Sequence, residues 1–213
     1  YDKRDEKQFY IMKINGVCWM TTNLDLAGGT TLTSATSNVT SNYTLPASSL
    51  AQIGSSLLAV YNSNNTDCYY KAHTYADYSP CYSYYSFVTA TAATYVSQTG
   101  SDSVGDICPK GWRMPTTSDP SPEEDYGHNL VNQYIDQPPY YLSKSGAYMP
   151  SWYDTNPEYW SSSFTGYSSD GQHFTGMVGL TWVGGQHISY AASGSTYGAS
   201  LTYGLAVRCR AKS

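Results

Sequence analysis

The residues of this chain that could carry reaction chemistry are few, and their spacing does not assemble them. The four histidines, His73, His128, His173 and His187, stand beside no cysteine or acid in a nucleophile motif. No Gly-x-Ser-x-Gly occurs, and no glycine-rich loop ends in a lysine able to cradle phosphate. Glu123 and Glu124 are adjacent carboxylates, but they follow Ser121-Pro122. That is the pattern of a capping box, and acids favour a helix's first turn. The five cysteines, Cys18, Cys68, Cys81, Cys108 and Cys209, include no Cys-x-x-Cys pair and no Cys/His cluster at zinc spacing. The expectation is a chain with no catalytic residue, no metal and no cofactor.

What the sequence does concentrate is recognition chemistry. Between Ser161 and Gly204 lie 44 residues with nine Gly, fourteen Ser or Thr and a single charge, Asp170. Tyr167, Ser169, Asp170, His173, Thr181, Trp182, His187, Ser189 and Tyr190 are the candidate ligand-binding residues. Tyr and Trp offer wide contact area with few rotamers, and Ser and Gly adapt their hydrogen bonds to what they meet. The competing reading is a set of glycine-rich hairpins with no ligand. Tyr excess across the chain, 23 copies against four Phe and five Trp, fits an interface and equally fits the β-propensity of a strand-rich fold.

Such a stretch needs elements to hold it. At its far end Leu205, Val207 and Cys209 alternate with Ala206, Arg208 and Arg210, the period of a strand with one buried face. Phe164, Phe174, Val178, Leu180 and Ile188 are the interior core anchors. The spacing therefore predicts Trp160, Phe164, Leu205 and Val207 buried, with Tyr167, Trp182 and Tyr190 at least half exposed on one face.

Upstream, residues 2–7 are all charged and read as a solvated lead-in. Asn15-Gly16 between the apolar runs Phe9 to Ile14 and Val17 to Met20 predicts a hairpin, because both turn residues must adopt positive φ. Residues 25–56 look too polar for a core and read as loop plus edge strand, with one helical turn near Ser48 to Ile53. Asn38, Asn42 and Asn64 sit in N-x-S/T sequons. Tyr84 to Tyr95 reads as a buried strand or short helix, and Cys108 to Pro115 as a compact turn and strand. A helix is expected from Pro122 to Ile135, ended by Pro138-Pro139, and 140–158 reads as loop and short strand. Cys18 lies in an apolar run and is expected to be the free thiol. Cys108 with Cys209, and Cys68 with Cys81, are candidate pairings whose connectivity stays open.

The totals exclude some partners. Charged residues make up 13% and the net charge is −5 with no basic run, which argues against nucleic acid. No stretch approaches the roughly 18 apolar residues of a membrane helix, so no direct membrane insertion is expected. No linker divides the chain, so residues 1–213 read as a single domain.

Three anchors stand in fixed order: Asp2-x-Arg4-Asp5 with Lys13-Ile14-x-Gly16-x-Cys18-Trp19-Met20-x-x-Asn23-Leu24, then Cys108-Pro109-Lys110-Gly111-Trp112-Arg113-Met114-Pro115, then Tyr159-Trp160-Ser161-Ser162 with Val207-Arg208-Cys209. Together they span nearly the whole chain. The chain in this respect resembles the Fibrobacter succinogenes major paralogous domain family of bacterial surface and secreted proteins. The resemblance implies an α+β fold of C-type lectin type, in the formylglycine-generating-enzyme-like branch, with twisted antiparallel strands, one or two helices and long irregular loops. It is also similar to the variable proteins of diversity-generating retroelements, which would make residues 160–210 a hypervariable ligand-binding region. The implied partner is a protein or glycan on another cell or virus, met at an extracellular, cell or virion surface, with oligomeric state open.

Two departures from these relatives bear on chemistry. The paired catalytic cysteines of formylglycine-generating enzymes are not evident, Cys209 being the only candidate, so no enzyme is expected. The Glu-Pro-Asn and Trp-Asn-Asp signatures of calcium-dependent lectins are absent. Trp152-Tyr153-Asp154 and Asn156-Pro157-Glu158 echo them in the wrong order. Calcium takes about six to eight oxygen ligands, and after Glu158 only Asp170 is acidic, so binding is expected to be calcium-independent. The alternative function is a structural surface or fibre subunit with no diversified site.

Overall fold

The computed structural model describes residues 1–14, 16–46, 60–61, 84–95, 101–116, 147–148, 153–154, 158–164, 166–167, 173–175, 177–183, 186–191, 199–200 and 204–212. The expected helix from Pro122 to Ile135, the turn near Ser48 to Ile53, the Cys68–Cys81 pairing and Asn64 lie outside these residues.

The hairpin forms where the Asn-Gly pair predicts it. Strands β1 (Ile11–Ile14) and β2 (Val17–Met20) pair antiparallel with Ile14 opposite Val17. Gly16 sits at φ 88°, a conformation that residues with a Cβ resist. Along the chain follow β3 (Thr31–Leu32), β4 (Tyr43–Thr44), β5 (Val60–Tyr61), β6 (Tyr84–Tyr85) and the helix α1 (Phe87–Ala90). Next come β7 (Ser101–Asp102), β8 (Trp112–Arg113), β9 (Ala147–Tyr148), β10 (Tyr153–Asp154) and β11 (Glu158–Trp160). The last quarter holds β12 (Ser163–Phe164), β13 (Gly166–Tyr167), β14 (His173–Thr175), β15 (Met177–Val183) and β16 (Gln186–Ala191). It ends with β17 (Ala199–Ser200), β18 (Gly204–Leu205) and β19 (Arg210–Ala211).

The architecture is α+β, built mostly of small antiparallel sheets. The larger two are ordered β1-β2-β19-β8 and β10-β9-β18-β6-β5. In both, a strand from the C-terminal ten residues is inserted between strands from earlier in the chain. The fold therefore closes only when the end of the sequence is in place, which makes its contacts strongly non-local.

The alternation from Leu205 to Arg210 does not produce a two-faced strand. All six residues are buried, and only Leu205 and Arg210 belong to named strands. The polar members are buried because they find acceptors. Arg208 donates Nε to Asn23 Oδ1 and Nη1 to the Met20 carbonyl at 3.2 Å, and its guanidinium lies 5.5 Å over the Tyr159 ring.

The charged lead-in is likewise only partly solvated. Arg4 grips Asp2 bidentately, Nε to Oδ1 at 2.9 Å and Nη2 to Oδ2 at 2.6 Å, with both side chains 2% exposed. Arg4 Nη1 continues to the Ile107 carbonyl at 2.6 Å and Ser37 Oγ at 3.1 Å, docking the N-terminus on the Cys108 loop. Residues 25–46, expected to be too polar for a core, supply Leu26, Leu32 and Leu45 at 0% exposure. Val39 joins these three leucines as a fourth buried apolar anchor, and of the four only Leu32 lies in a strand. Tyr84 to Tyr95 realises both expected forms in turn, a strand and then the four-residue helix capped by Ser86 Oγ accepting from Thr89 N at 3.2 Å.

Trp160, Leu205 and Val207 are fully buried, as their spacing predicts. Trp160 meets Phe87 edge to face at 5.3 Å and donates Nε1 to the Tyr85 carbonyl at 2.5 Å. Cys108 and Cys209 form a disulfide across a sequence separation of 101. Closing a loop of that length removes unfolded-chain entropy worth roughly 5 kcal/mol in the chain-entropy account. Cys18 is the free cysteine among the described residues, half-buried rather than in the core.

Candidate ligand-binding face and its frame

Both ends of the glycine-rich stretch are pinned before any recognition residue is reached. At the near end Tyr159 is 1% exposed and Trp160 fully buried, and Trp160 N donates to the Ala206 carbonyl at 3.0 Å. Ser162 N reaches the Pro115 carbonyl at 2.8 Å, and Ser103 N returns to the Ser162 carbonyl at 2.9 Å. At the far end the Val207 carbonyl accepts from Leu24 N at 2.8 Å and the Cys209 carbonyl from Met20 N at 2.9 Å. A parallel bridge between Tyr159 and Ala206 ties the two ends to each other.

The strands between these ends are carried by that frame. β11 pairs with β15, placing Tyr159 opposite Val178 and Trp160 opposite Met177. β15 pairs in turn with β16 over six positions, from Val178 opposite Ala191 to Val183 opposite Gln186. Within that ladder Trp182 stands directly opposite His187, and Leu180 opposite Ser189. In a second sheet β13 and β14 place Tyr167 opposite His173. Opposed residues in an antiparallel pair share a face, so the register brings together two aromatic–histidine pairs that the sequence order hides.

The same parity divides the nine candidates. Trp182, His187 and Ser189 take positions on one face of the β15–β16 hairpin, whereas Thr181, opposite Ile188, and Tyr190, opposite Gly179, take the other. Trp182 and Tyr190 thus hold register positions of opposite parity in this hairpin, and the exposure expected of Tyr167, Trp182 and Tyr190 lies outside the described residues. Ser169 and Asp170 lie outside the described residues. From Met177 to Ala191 the sequence has no Asp, Glu, Lys or Arg. A ligand for either face would therefore be met by rings, hydroxyls, amides and imidazoles rather than by ion pairs.

A second polar constellation went unread in the sequence. Asp106 is 3% exposed and accepts from Asn38 Nδ2 at 2.7 Å, Cys108 N at 2.9 Å and Met114 N at 2.9 Å. Burial pushes its carboxyl from the ordinary 3.8 up to about 6, partly offset by those three donors and by the charge of Lys212. Lys212 Nζ donates to Asn38 Oδ1. The available signal was an Asp two residues before Cys108, a spacing at which an Asp side chain bonds the amide two residues on. Asn38 Nδ2 is thus engaged in the folded protein, whereas Asn42 in the next sequon is exposed. Elsewhere burial raises Asp5 and Tyr43 above their usual values, Asp5 against the backbone bond from Lys7 and Tyr43 against a bond with Thr89. Among the described residues, no group of three or more His, Cys, Asp or Glu could hold a metal ion.

No family model matches the chain, and neither does any curated protein or solved structure.

Proposed function

We propose that the chain is a calcium-independent ligand-binding module of C-type lectin-like fold, whose residues 160–210 form a diversified recognition region of the kind rewritten by retroelements. The observation that carries this reading is the double pinning of the stretch. Its ends are core residues held by backbone bonds and a disulfide, while its interior is nearly uncharged, glycine-rich and stocked with rings and hydroxyls. Backbone ladders do not depend on side-chain identity, so such an interior can change residue by residue while the frame stays put. The ligand is a protein or glycan on another cell or virus. A disulfide within the core favours an oxidising compartment, in keeping with display at a cell or virion surface. Among the described residues, no helix is long and apolar enough to cross a membrane.

The experiment is a binding screen of the purified chain against glycan and surface-protein arrays, repeated with Trp182→Ala and Tyr190→Ala. Truncating an aromatic anchor costs about 2 kcal/mol or more, roughly a 30-fold loss of affinity, with little change in melting temperature. Because the two residues occupy opposite faces, only one should show the large loss for a given ligand. Equal binding by both variants and the parent would remove the face from consideration. Light scattering that finds filaments instead of a monomer or closed oligomer would favour a fibre subunit. A neighbouring reverse transcriptase gene with a near-identical template repeat is the corresponding test of diversification.

A further inference from the structure

The Asn38–Asp106–Lys212 constellation takes no part in the proposed recognition face, and its geometry suits a covalent reaction. Every polar atom of Asn38 is engaged. Its backbone N donates to the Cys108 carbonyl and its carbonyl accepts from Asp106 N, both at 2.8 Å. Its Nδ2 faces Asp106 Oδ2 at 2.7 Å, and its Oδ1 faces Lys212 Nζ at 2.5 Å. Gly105 permits this approach, since a Cβ there would fall 2.8 Å from the Asn38 carbonyl oxygen. Lys212 is itself anchored, its N donating to the Gly111 carbonyl at 2.9 Å. With the carbonyl bond about 1.23 Å long, Nζ lies no more than about 3.7 Å from Asn38 Cγ. That borders the roughly 3–3.5 Å of a near-attack arrangement.

We propose that Lys212 and Asn38 join through an intramolecular isopeptide bond, with Asp106 as the catalytic acid–base. Lys212 Nζ, as the free amine, attacks Asn38 Cγ, forming the new C–N bond while the carbonyl electron pair moves onto Oδ1. Collapse restores the carbonyl and breaks Cγ–Nδ2. Asp106, starting as the carboxylate, takes the proton that Nζ surrenders and passes it to the departing Nδ2, which leaves as ammonia. One amine and one primary amide become one secondary amide and one ammonia, with no oxidant, reductant or cofactor. A buried carboxyl raised to about 6 both holds and yields a proton near neutrality, which suits this role. The link closes a separation of 174 residues outside the Cys108–Cys209 disulfide, tying the C-terminal strand covalently to the N-terminal half.

The test is the intact mass of the full chain under reducing conditions after incubation at mildly alkaline pH. The expected mass is about 17 Da below that of the sequence, the loss of one ammonia. A tryptic digest should contain a branched peptide that carries Asn38 and Lys212 and survives reduction. Lys212→Gln, a change at an exposed side chain, should restore the full mass and abolish the branched peptide. Asp106→Ala should do the same, and if it does not fold, Lys212→Gln decides alone. A full-mass parent with Lys212 open to acetylation would overturn the proposal. So would an ammonia loss that persists in Lys212→Gln, which would mark a succinimide at an asparagine.

Discussion

Removing one oxygen from Tyr85 tests whether the core is closed where three segments meet. Tyr85 is fully buried, and its hydroxyl accepts from Leu26 N at 2.6 Å while lying 3.2 Å from the Leu26 carbonyl. Its own carbonyl receives Trp160 Nε1. Tyr85→Phe keeps the ring and leaves no cavity larger than an oxygen, so the cavity contribution is small. What it strands is the Leu26 amide, a buried donor that then has neither partner nor water. Orphaning such a group costs about 1–3 kcal/mol, more than the net worth of an ordinary hydrogen bond. In a chain of 213 residues, each kcal/mol moves the melting temperature by roughly 2–4 °C, so a drop of about 2–12 °C is expected. Urea unfolding followed by circular dichroism should show a lower midpoint with unchanged slope, because the surface exposed on unfolding is the same. Tyr1→Phe, at a side chain 71% exposed, is the control and should shift nothing. If Tyr85→Phe instead matches the parent to within a few tenths of a kcal/mol, water reaches the Leu26 amide. The reasoning that places Leu24 and Leu26 in a sealed core with Trp160 would then fail.

Two further predictions concern the Cys108 loop. Replacing Cys108 and Cys209 together by Ser should lower stability by about 2–5 kcal/mol, and the reduced parent should behave alike; an unmoved urea midpoint would show that the cross-link does not constrain the unfolded chain. Asp106 should make the fold less stable as pH rises from about 4 to about 6. Its carboxyl is raised from 3.8 to about 6 in the folded state, so over that window the fold binds more protons than the unfolded chain. The contribution is fully present below about pH 4, is lost above about pH 6, and is worth about 3 kcal/mol. The difference in unfolding free energy between the parent and Asp106→Asn, measured from pH 3.5 to 7, isolates it from other titrating groups. Parallel curves would refute the assignment.

What the sequence made legible were features with a local cause. Asn15-Gly16 announced its hairpin because few other residue pairs tolerate that backbone, and Trp160, Leu205 and Val207 were recognisable as core from size and spacing. What stayed hidden was set by distant partners. Arg4 and Asp2 looked solvated because nothing local revealed that Ile107 and Ser37 would receive the arginine. Arg208 broke the period-two reading because its acceptors, Asn23 and Met20, lie 185 and 188 residues away. Asp106 is one acid in a loop, with no periodicity to mark it. The β15–β16 hairpin was readable in principle, since Gly184-Gly185 separates two strand-like runs. Reading it would also have given the parity that sets Trp182 apart from Tyr190.

On the proposed reading, that parity determines how the recognition region can change. β15 is held to β11 at Met177, Val178 and Gly179, opposite Trp160, Tyr159 and Glu158, so its first positions sit against the buried frame. Thr181 to Val183 and Gln186 to Ile188 lie beyond that pairing, and among the described strands they pair with each other. A side chain at the frame end contributes to stability through packing, whereas one at the far end contributes chiefly to whatever it meets. Tolerance to substitution should therefore rise along β15 from Met177 towards Val183 and fall back along β16 towards Ala191. Trp182 and His187 stand opposite each other near the tolerant end, where exchange of either residue changes the presented chemistry without disturbing the strand that holds it.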